Sequence, residues 1–266
     1  MEAIFTALLL STIAGLSTTV GSVIAFIVKK PSDKFISFIM GFSAGVMILV
    51  SFVELLQEGI KTNGTLIGIL FFLLGMGLML LIDITITHYY EFEDDFILEE
   101  NNDLSGNNNK KELSRQRQLR KTSLLVTMGV FIHNFPEGMA TFVGSLKDLE
   151  LGILITLAIA LHNIPEGIAV AATISTHTKS KFKPFLWSFV SGISEPLGAL
   201  LVAFVLFPFI DDVLLGALLS IVGGFMVYIS LDELLPMSRS LGKEHLSILG
   251  ITAGMLVMAF SLAILQ

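Results

Sequence analysis

Residues 151–172 read LGILITLAIALHNIPEGIAVAA. An apolar run of this length crosses a bilayer as one helix, because about 20 residues span the hydrocarbon core. Its centre nevertheless holds an imidazole, an amide and a carboxylate: His162, Asn163 and Glu166. The same core stands 29 residues earlier, where His133-Asn134-Phe135-Pro136-Glu137-Gly138 matches His162-Asn163-Ile164-Pro165-Glu166-Gly167. That first copy lies in a second apolar run, 124–143. On a helix, positions i and i+4 share a face, so each His and its Glu point the same way. Ionisable groups in a membrane are costly, and they face a bundle interior or a watery path. A divalent cation would offset the cost by coordinating them.

Working outward, eight apolar spans are predicted, at about 4–28, 35–57, 64–86, 122–145, 150–173, 184–208, 213–236 and 246–265. The chain has 266 residues, 53% of them hydrophobic and 15% charged. The expected fold is therefore an all-α integral membrane protein, a single transmembrane domain over 1–266. There is no cysteine, which excludes disulfides, thiolate metal sites and redox chemistry at sulfur. The net charge of -7 says little, since the charges sit mostly in loops. Met1-Glu2-Ala3 lacks the basic start of a cleaved signal peptide.

Orientation follows from the basic residues. Of the 16 Lys and Arg, all but Lys61 and Lys147 fall after odd-numbered spans. They are Lys29, Lys30 and Lys34; Lys110, Lys111, Arg115, Arg117, Arg120 and Lys121; Lys179, Lys181 and Lys183; and Arg239 and Lys243. Those loops are expected in the cytoplasm, with both termini on the other side. The longest loop, 87–121, runs from an acidic cluster (Glu91 to Asp103) through Gly106-Asn107-Asn108-Asn109 to a basic stretch. It reads as a disordered cytoplasmic linker. His88 and the acids beside it form a weaker candidate cation site.

A second repeat is fainter. Gly45, Met47, Ser51, Glu54, Leu55 and Leu56 of the second span recur as Gly224, Met226, Ser230, Glu233, Leu234 and Leu235 of the seventh. The two spans cross the membrane in opposite directions. This is the mark of an inverted-topology repeat of spans 1–3 and 6–8. Ser51 and Glu54 then lie toward the outer mouth of a pathway, and Asp232 and Glu233 toward the inner one.

Pro136 and Pro165 each remove a helical hydrogen bond, to the carbonyls of Ile132 and Leu161. A helix broken at that depth is expected where it lines a cavity. Asn134 and Asn163 sit about 100° round the helix from the neighbouring His, positioned for an adjacent site. Span 6 adds another carboxylate beside a proline, Glu195-Pro196. Imidazole, carboxylate and amide oxygen suit zinc, iron(II), manganese, cobalt or cadmium. Magnesium prefers an all-oxygen shell. Two function classes place such groups in a bilayer. One is a transporter. The other is an intramembrane zinc hydrolase, but the HExxH arrangement is missing, because Asn follows each His.

With these residues in hand, the chain resembles the ZIP (Zrt-, Irt-like) family of divalent-metal transporters along essentially its whole length. The resemblance implies a 3+2+3 arrangement of eight helices, with a binuclear metal site on helices 4, 5 and 6. One metal position would take His133, Glu137, His162 and Glu166. The next would take Asn134, Glu137, Asn163, Glu166 and Glu195, with Glu137 and Glu166 bridging. It implies Zn(2+) and Fe(2+) as bound and transported substrates, import to the cytoplasm across the inner (plasma) membrane, and no prosthetic group. The expected partners are divalent cations, the lipid bilayer and a second copy in a homodimer; nucleic acid is not among them. Relatives often carry a histidine-rich cytoplasmic loop. This chain does not, so metal sensing there is not expected.

Overall fold

The computed structural model describes residues 2–28, 32–101, 108–175, 178, 180–209, 211–240 and 242–265; within these, nothing is said of the side chains of 28, 86–101, 108–126, 173, 207, 240 and 265. The described backbone is helical apart from short turns, with no strand. The helices are α1 (Glu2–Val28), α2 (Asp33–Val50), α3 (Leu56–Asn63), α4 (Thr65–Asn101), α5 (Asn108–Lys147), α6 (Leu149–Ser175), α7 (Phe182–Leu201), α8 (Asp212–Ile229), α9 (Leu235–Ser240) and α10 (Glu244–Leu265). A π-helical turn, Ser51–Leu55, joins α2 to α3 in one rod, and another, Ser230–Leu234, joins α8 to α9. The result is the expected eight rods.

Local chemistry sets the rod ends. Ser32 caps α2 by accepting from the Phe35 N–H at 3.3 Å, and Asp211 caps α8 by accepting from the Leu214 N–H at 2.8 Å. Asp148 takes the Leu151 N–H at 3.1 Å and turns α5 straight into α6. Gly64 sits at φ 83° between α3 and α4, a conformation that glycine adopts without steric cost.

The packing suits lipid outside and polarity within. Phe5, Leu9 and Ile13 of α1, Leu66, Leu70 and Leu81 of α4, and Phe260 and Ile264 of α10 are exposed, while among the described residues fourteen serines and five threonines are buried, as are His133, His162, Glu137, Glu166 and Glu195. Buried polar groups amid exposed apolar ones reverse the order of a water-soluble protein. Among the described residues seven helical rods are long and apolar enough to cross a bilayer. The remaining rod is α5, whose apolar portion is diluted by His133, Asn134, Pro136 and Glu137. The chain is a multi-pass membrane protein.

The rods form two bodies. α1, α5, α6 and α7 pack together; α2 packs on α10, and α4 and α3 on α8; the bodies meet through α2 against α6 and α5 against α8. This network is symmetric. Exchanging rods 1 with 6, 2 with 7, 3 with 8 and 4 with 5 maps each of these contacts onto another. The two π turns also fall at the same place in the faint repeat, on Ser51–Leu55 and Ser230–Leu234. The inverted repeat is thus a feature of the backbone.

Two expectations are modified. Loop 87–121 is not wholly irregular: the backbone stays helical to Asn101 and is helical again from Asn108. Its composition explains this, since Leu, Glu, Lys, Arg and Gln are good helix formers and extend the membrane helices. His88, the acidic cluster from Glu91 to Asp103 and the basic stretch from Lys110 to Lys121 lie outside the described side chains. Pro136 and Pro165, moreover, do not break their helices: α5 and α6 each run through as one helix. One missing hydrogen bond is tolerated where neighbouring helices hold both flanks.

Candidate functional site

α5 and α6 are antiparallel neighbours joined by a tight turn, so their two motifs meet head to tail. His133 lies opposite Glu166, and Glu137 opposite His162. The imidazoles and carboxylates pair across the helices: His133 Nε2 with Glu166 Oε2 at 3.1 Å, and His162 Nε2 with Glu137 Oε1 at 3.0 Å. All four residues are at most 1% exposed. Among the described residues no three His, Asp or Glu side chains converge as metal ligands do. The pairs are closed on one another instead.

The closure is incomplete. His133 Nδ1, His162 Nδ1, Glu137 Oε2, Glu166 Oε1, Glu195 Oε2, Asn134 Oδ1 and Asn163 Oδ1 are buried without a hydrogen-bond partner. Each such atom costs about 1–3 kcal/mol, and seven in one cluster is far from the usual practice of satisfying buried polar groups. Every one is an oxygen or nitrogen lone-pair donor of the kind that zinc and iron(II) take.

The asparagines tie this centre to the outer helices. The Asn163 amide donates to the Ala14 carbonyl of α1 at 3.1 Å and to Glu195 Oε1 of α7. The Asn134 amide approaches the Ser191 carbonyl of α7 at 3.4 Å and Thr18 Oγ1 of α1 at 3.5 Å. With the NH2 groups engaged this way, both carbonyl oxygens are left for the centre. From α2, the Ser43 hydroxyl points at the His162 carbonyl at 3.4 Å.

These helices come close because glycines line them. A Cβ at Gly138 would strike the Glu195 carbonyl, and a Cβ at Gly167 would strike that of Thr18. The glycine of each motif therefore lets α7 or α1 bring its side chains to the centre.

The structure brings together His133, Asn134, Glu137, His162, Asn163, Glu166 and Glu195. Glu233 stands nearby, its Oε2 3.9 Å from His133 Nδ1, and is one-third exposed. Asp232 is exposed and lies off the centre, beside Tyr228, whose hydroxyl donates to Asp83 at 3.3 Å. Ser51 is buried with its hydroxyl bonded to the Met47 carbonyl at 2.6 Å. Glu54 opens instead on a cavity of about 350 Å3 at the other membrane face, shared with Glu58, Lys61, Lys147, Asp148 and Glu150. There Lys147 Nζ bridges Glu58 Oε1 at 2.6 Å and Thr62 Oγ1 at 2.7 Å. The contribution of α1 was not foreseen. A signal for it exists: Gly15, Ser17, Thr18 and Gly21 have the spacing of Gly192, Ser194, Glu195 and Gly198.

Known proteins resemble this chain along most of its length. Residues 94–262 match the family described as ZIP Zinc transporter. Over nearly its full length the chain is similar to proteins named zinc transporter ZupT. That of Streptococcus mutans is 43% identical, covering 97% of this chain and 97% of its own. That of Clostridium perfringens is 44% identical, covering 98% and 96%. That of Campylobacter jejuni is 43% identical, covering 99% and 98%.

Proposed function

The chain belongs to the ZIP zinc transporter family, and from that premise we propose that it imports divalent transition metals, Zn(2+) and also Fe(2+), into the cytoplasm through a binuclear site on α5, α6 and α7. The observation that carries the reading is the pair of cross-linked His–Glu couples, buried at the meeting of two inverted halves and surrounded by unpartnered ligand atoms. A cation reaching them exchanges one hydrogen bond per His–Glu couple for several coordinate bonds. Glu137 and Glu166 each engage one oxygen with an imidazole and hold the other buried without a partner, as a bridging carboxylate needs.

The route has two ends. Outside, the cation enters the cavity lined by Glu54 and Glu58 and sheds water. Inside, it passes from His133 to Glu233 and Asp232. The distribution of Lys and Arg supports placing the Glu233 end in the cytoplasm, with both termini outside. Opening alternates as one four-rod body moves against the other. A binding imidazole must be neutral and a binding carboxylate ionised, so protons compete with the metal.

The hydrolase alternative lacks support in the geometry. A catalytic zinc keeps an open position for water beside a general base, whereas here both carboxylates are engaged with imidazoles. The deciding experiment is uptake of Zn(2+) by proteoliposomes of the purified chain, with Fe(2+), Mn(2+) and Cd(2+) as competitors. Zinc accumulation that is saturable and lost in Glu166→Ala supports the reading. Flux indifferent to Glu166→Ala overturns the site, and hydrolysis of peptide or lipid without flux overturns the transporter.

A further inference from the structure

The approximate two-fold relation assigns a partner to every residue at the centre. His133 exchanges with His162, Asn134 with Asn163 and Glu137 with Glu166. On the flanking helices Gly15 exchanges with Gly192, Thr18 with Glu195 and Gly21 with Gly198. The contacts repeat accordingly. A Cβ on Gly15 would meet the Gly192 carbonyl, and a Cβ on Gly192 the Gly15 carbonyl. Ser17 Oγ donates to the Ala14 carbonyl at 2.5 Å, and Ser194 Oγ to the Ser191 carbonyl at 2.6 Å. Asn163 donates to Ala14 O and Glu195 Oε1, and Asn134 to Ser191 O and Thr18 Oγ1. Thr18 and Glu195 are both fully buried. The two sites on the flanking helices are thus alike in backbone, burial and asparagine partner, and differ in one side chain.

We infer that Thr18 is a residue of the metal centre: it occupies on the first repeat the place that Glu195 occupies on the second, and it positions Asn134 as Glu195 positions Asn163. This deepens the reading of the centre as a binuclear metal site and rests on it. The difference between the two residues has a purpose in transport. Glu137, Glu166 and Glu195 supply three negative charges to two divalent cations. A fourth carboxylate in place of Thr18 would neutralise the pair fully and hold it. The hydroxyl orients Asn134 Oδ1 while leaving one positive charge uncompensated, which favours release.

The test uses the full-length purified chain, with Zn(2+) as probe in titration calorimetry and in proteoliposome uptake. Four variants are compared: Thr18→Val, Thr18→Ser, Glu195→Thr and the exchange Thr18→Glu with Glu195→Thr. Thr18→Val keeps the shape and deletes the hydroxyl, and the loss of a group that orients a ligand lowers metal affinity by about tenfold or more. Thr18→Ser retains the hydroxyl and binds more tightly than Thr18→Val. Glu195→Thr binds weakly, and the exchange regains most of the lost affinity by returning the carboxylate from the opposite side. Thr18→Val with the affinity of the unaltered chain overturns the inference, as does an exchange variant, monodisperse and with an intact thermal transition, that binds no better than Glu195→Thr. Should the exchange variant not fold, the comparison of Val with Ser decides alone: Val keeps the volume and loses the hydroxyl, Ser loses a methyl group and keeps the hydroxyl, so tighter binding by Ser cannot come from packing. If Glu195→Thr and Glu166→Ala both bind Zn(2+) as the unaltered chain does, the metal centre itself is misassigned, an outcome separate from failure at Thr18.

Discussion

Glu166→Gln is the perturbation that separates binding from folding. The amide keeps the size of the carboxylate and an oxygen to face His133 Nε2, 3.1 Å away in the unaltered chain. What it loses is charge. Hydrogen bonds to a charged group contribute about 1.5–3 kcal/mol against about 0.5–1.5 for neutral ones, so the folded state should lose about 1 kcal/mol, a small downward move of the thermal transition. The metal loses far more. Oε2 faces the imidazole side and the buried, unpartnered Oε1 remains for a second cation, so a bridging Glu166 serves both positions. Neutralising it weakens both at once. Outer-shell substitutions alone cost about 10–100-fold in metal affinity, so a bridging ligand should cost at least about 100-fold, or about 2.7 kcal/mol. The assay pairs Zn(2+) uptake by proteoliposomes with thermal unfolding in the presence and absence of Zn(2+). The unaltered chain should be stabilised by zinc, by about 2.7 kcal/mol when the metal is at 100 times its dissociation constant. In Glu166→Gln that stabilisation should vanish while the metal-free transition hardly moves. Uptake with KM within about twofold of the unaltered chain, where tenfold is about 1.4 kcal/mol, would refute the bridging role.

Three further outcomes are expected. Zinc uptake should fall as the external medium is taken from neutral to acidic, because protons occupy the imidazole and carboxylate atoms that the metal needs; a pH-independent uptake rate would exclude those ligands. Gly138→Ala should unfold or severely destabilise the chain, since its Cβ would strike the Glu195 backbone carbonyl, and overpacking of this kind costs about 1–3 kcal/mol or more; a thermal transition unchanged from the unaltered chain would show that α5 and α7 are not so close. Lys147→Gln removes a positive charge from the cavity lined by Glu54 and Glu58 and frees Glu58 from its 2.6 Å partner, so zinc uptake should gain a lower KM at low ionic strength, an advantage that salt erodes; a higher KM would reverse the role proposed for that cavity.

Much of this was legible in the chain itself. The apolar runs announced eight rods because lipid leaves few options for an exposed backbone. The doubled motif announced the centre because His133, His162 and their glutamates are too costly in a membrane to be incidental. Spacing along one helix could say that His133 and Glu137 share a face. It could not say that each pairs with the opposite helix, a matter of the antiparallel register set by the short turn at Asp148. Nor did it reveal Thr18. A carboxylate in an apolar run stands out, as Glu195 did, but a threonine there is ordinary and gains meaning only from its place opposite Glu195. The prolines misled for a related reason: their local effect is to break a helix, and the packing of α1 and α7 against both sides overrides it.

The two inverted halves carry an energetic consequence. In the alternating mechanism proposed above, swapping the conformations of the halves would turn an outward-open molecule into an inward-open one built from the same contacts. The two end states therefore differ in free energy only through positions where the halves are unlike, such as Thr18 against Glu195. In such a carrier the metal gradient across the membrane would set the direction of flow.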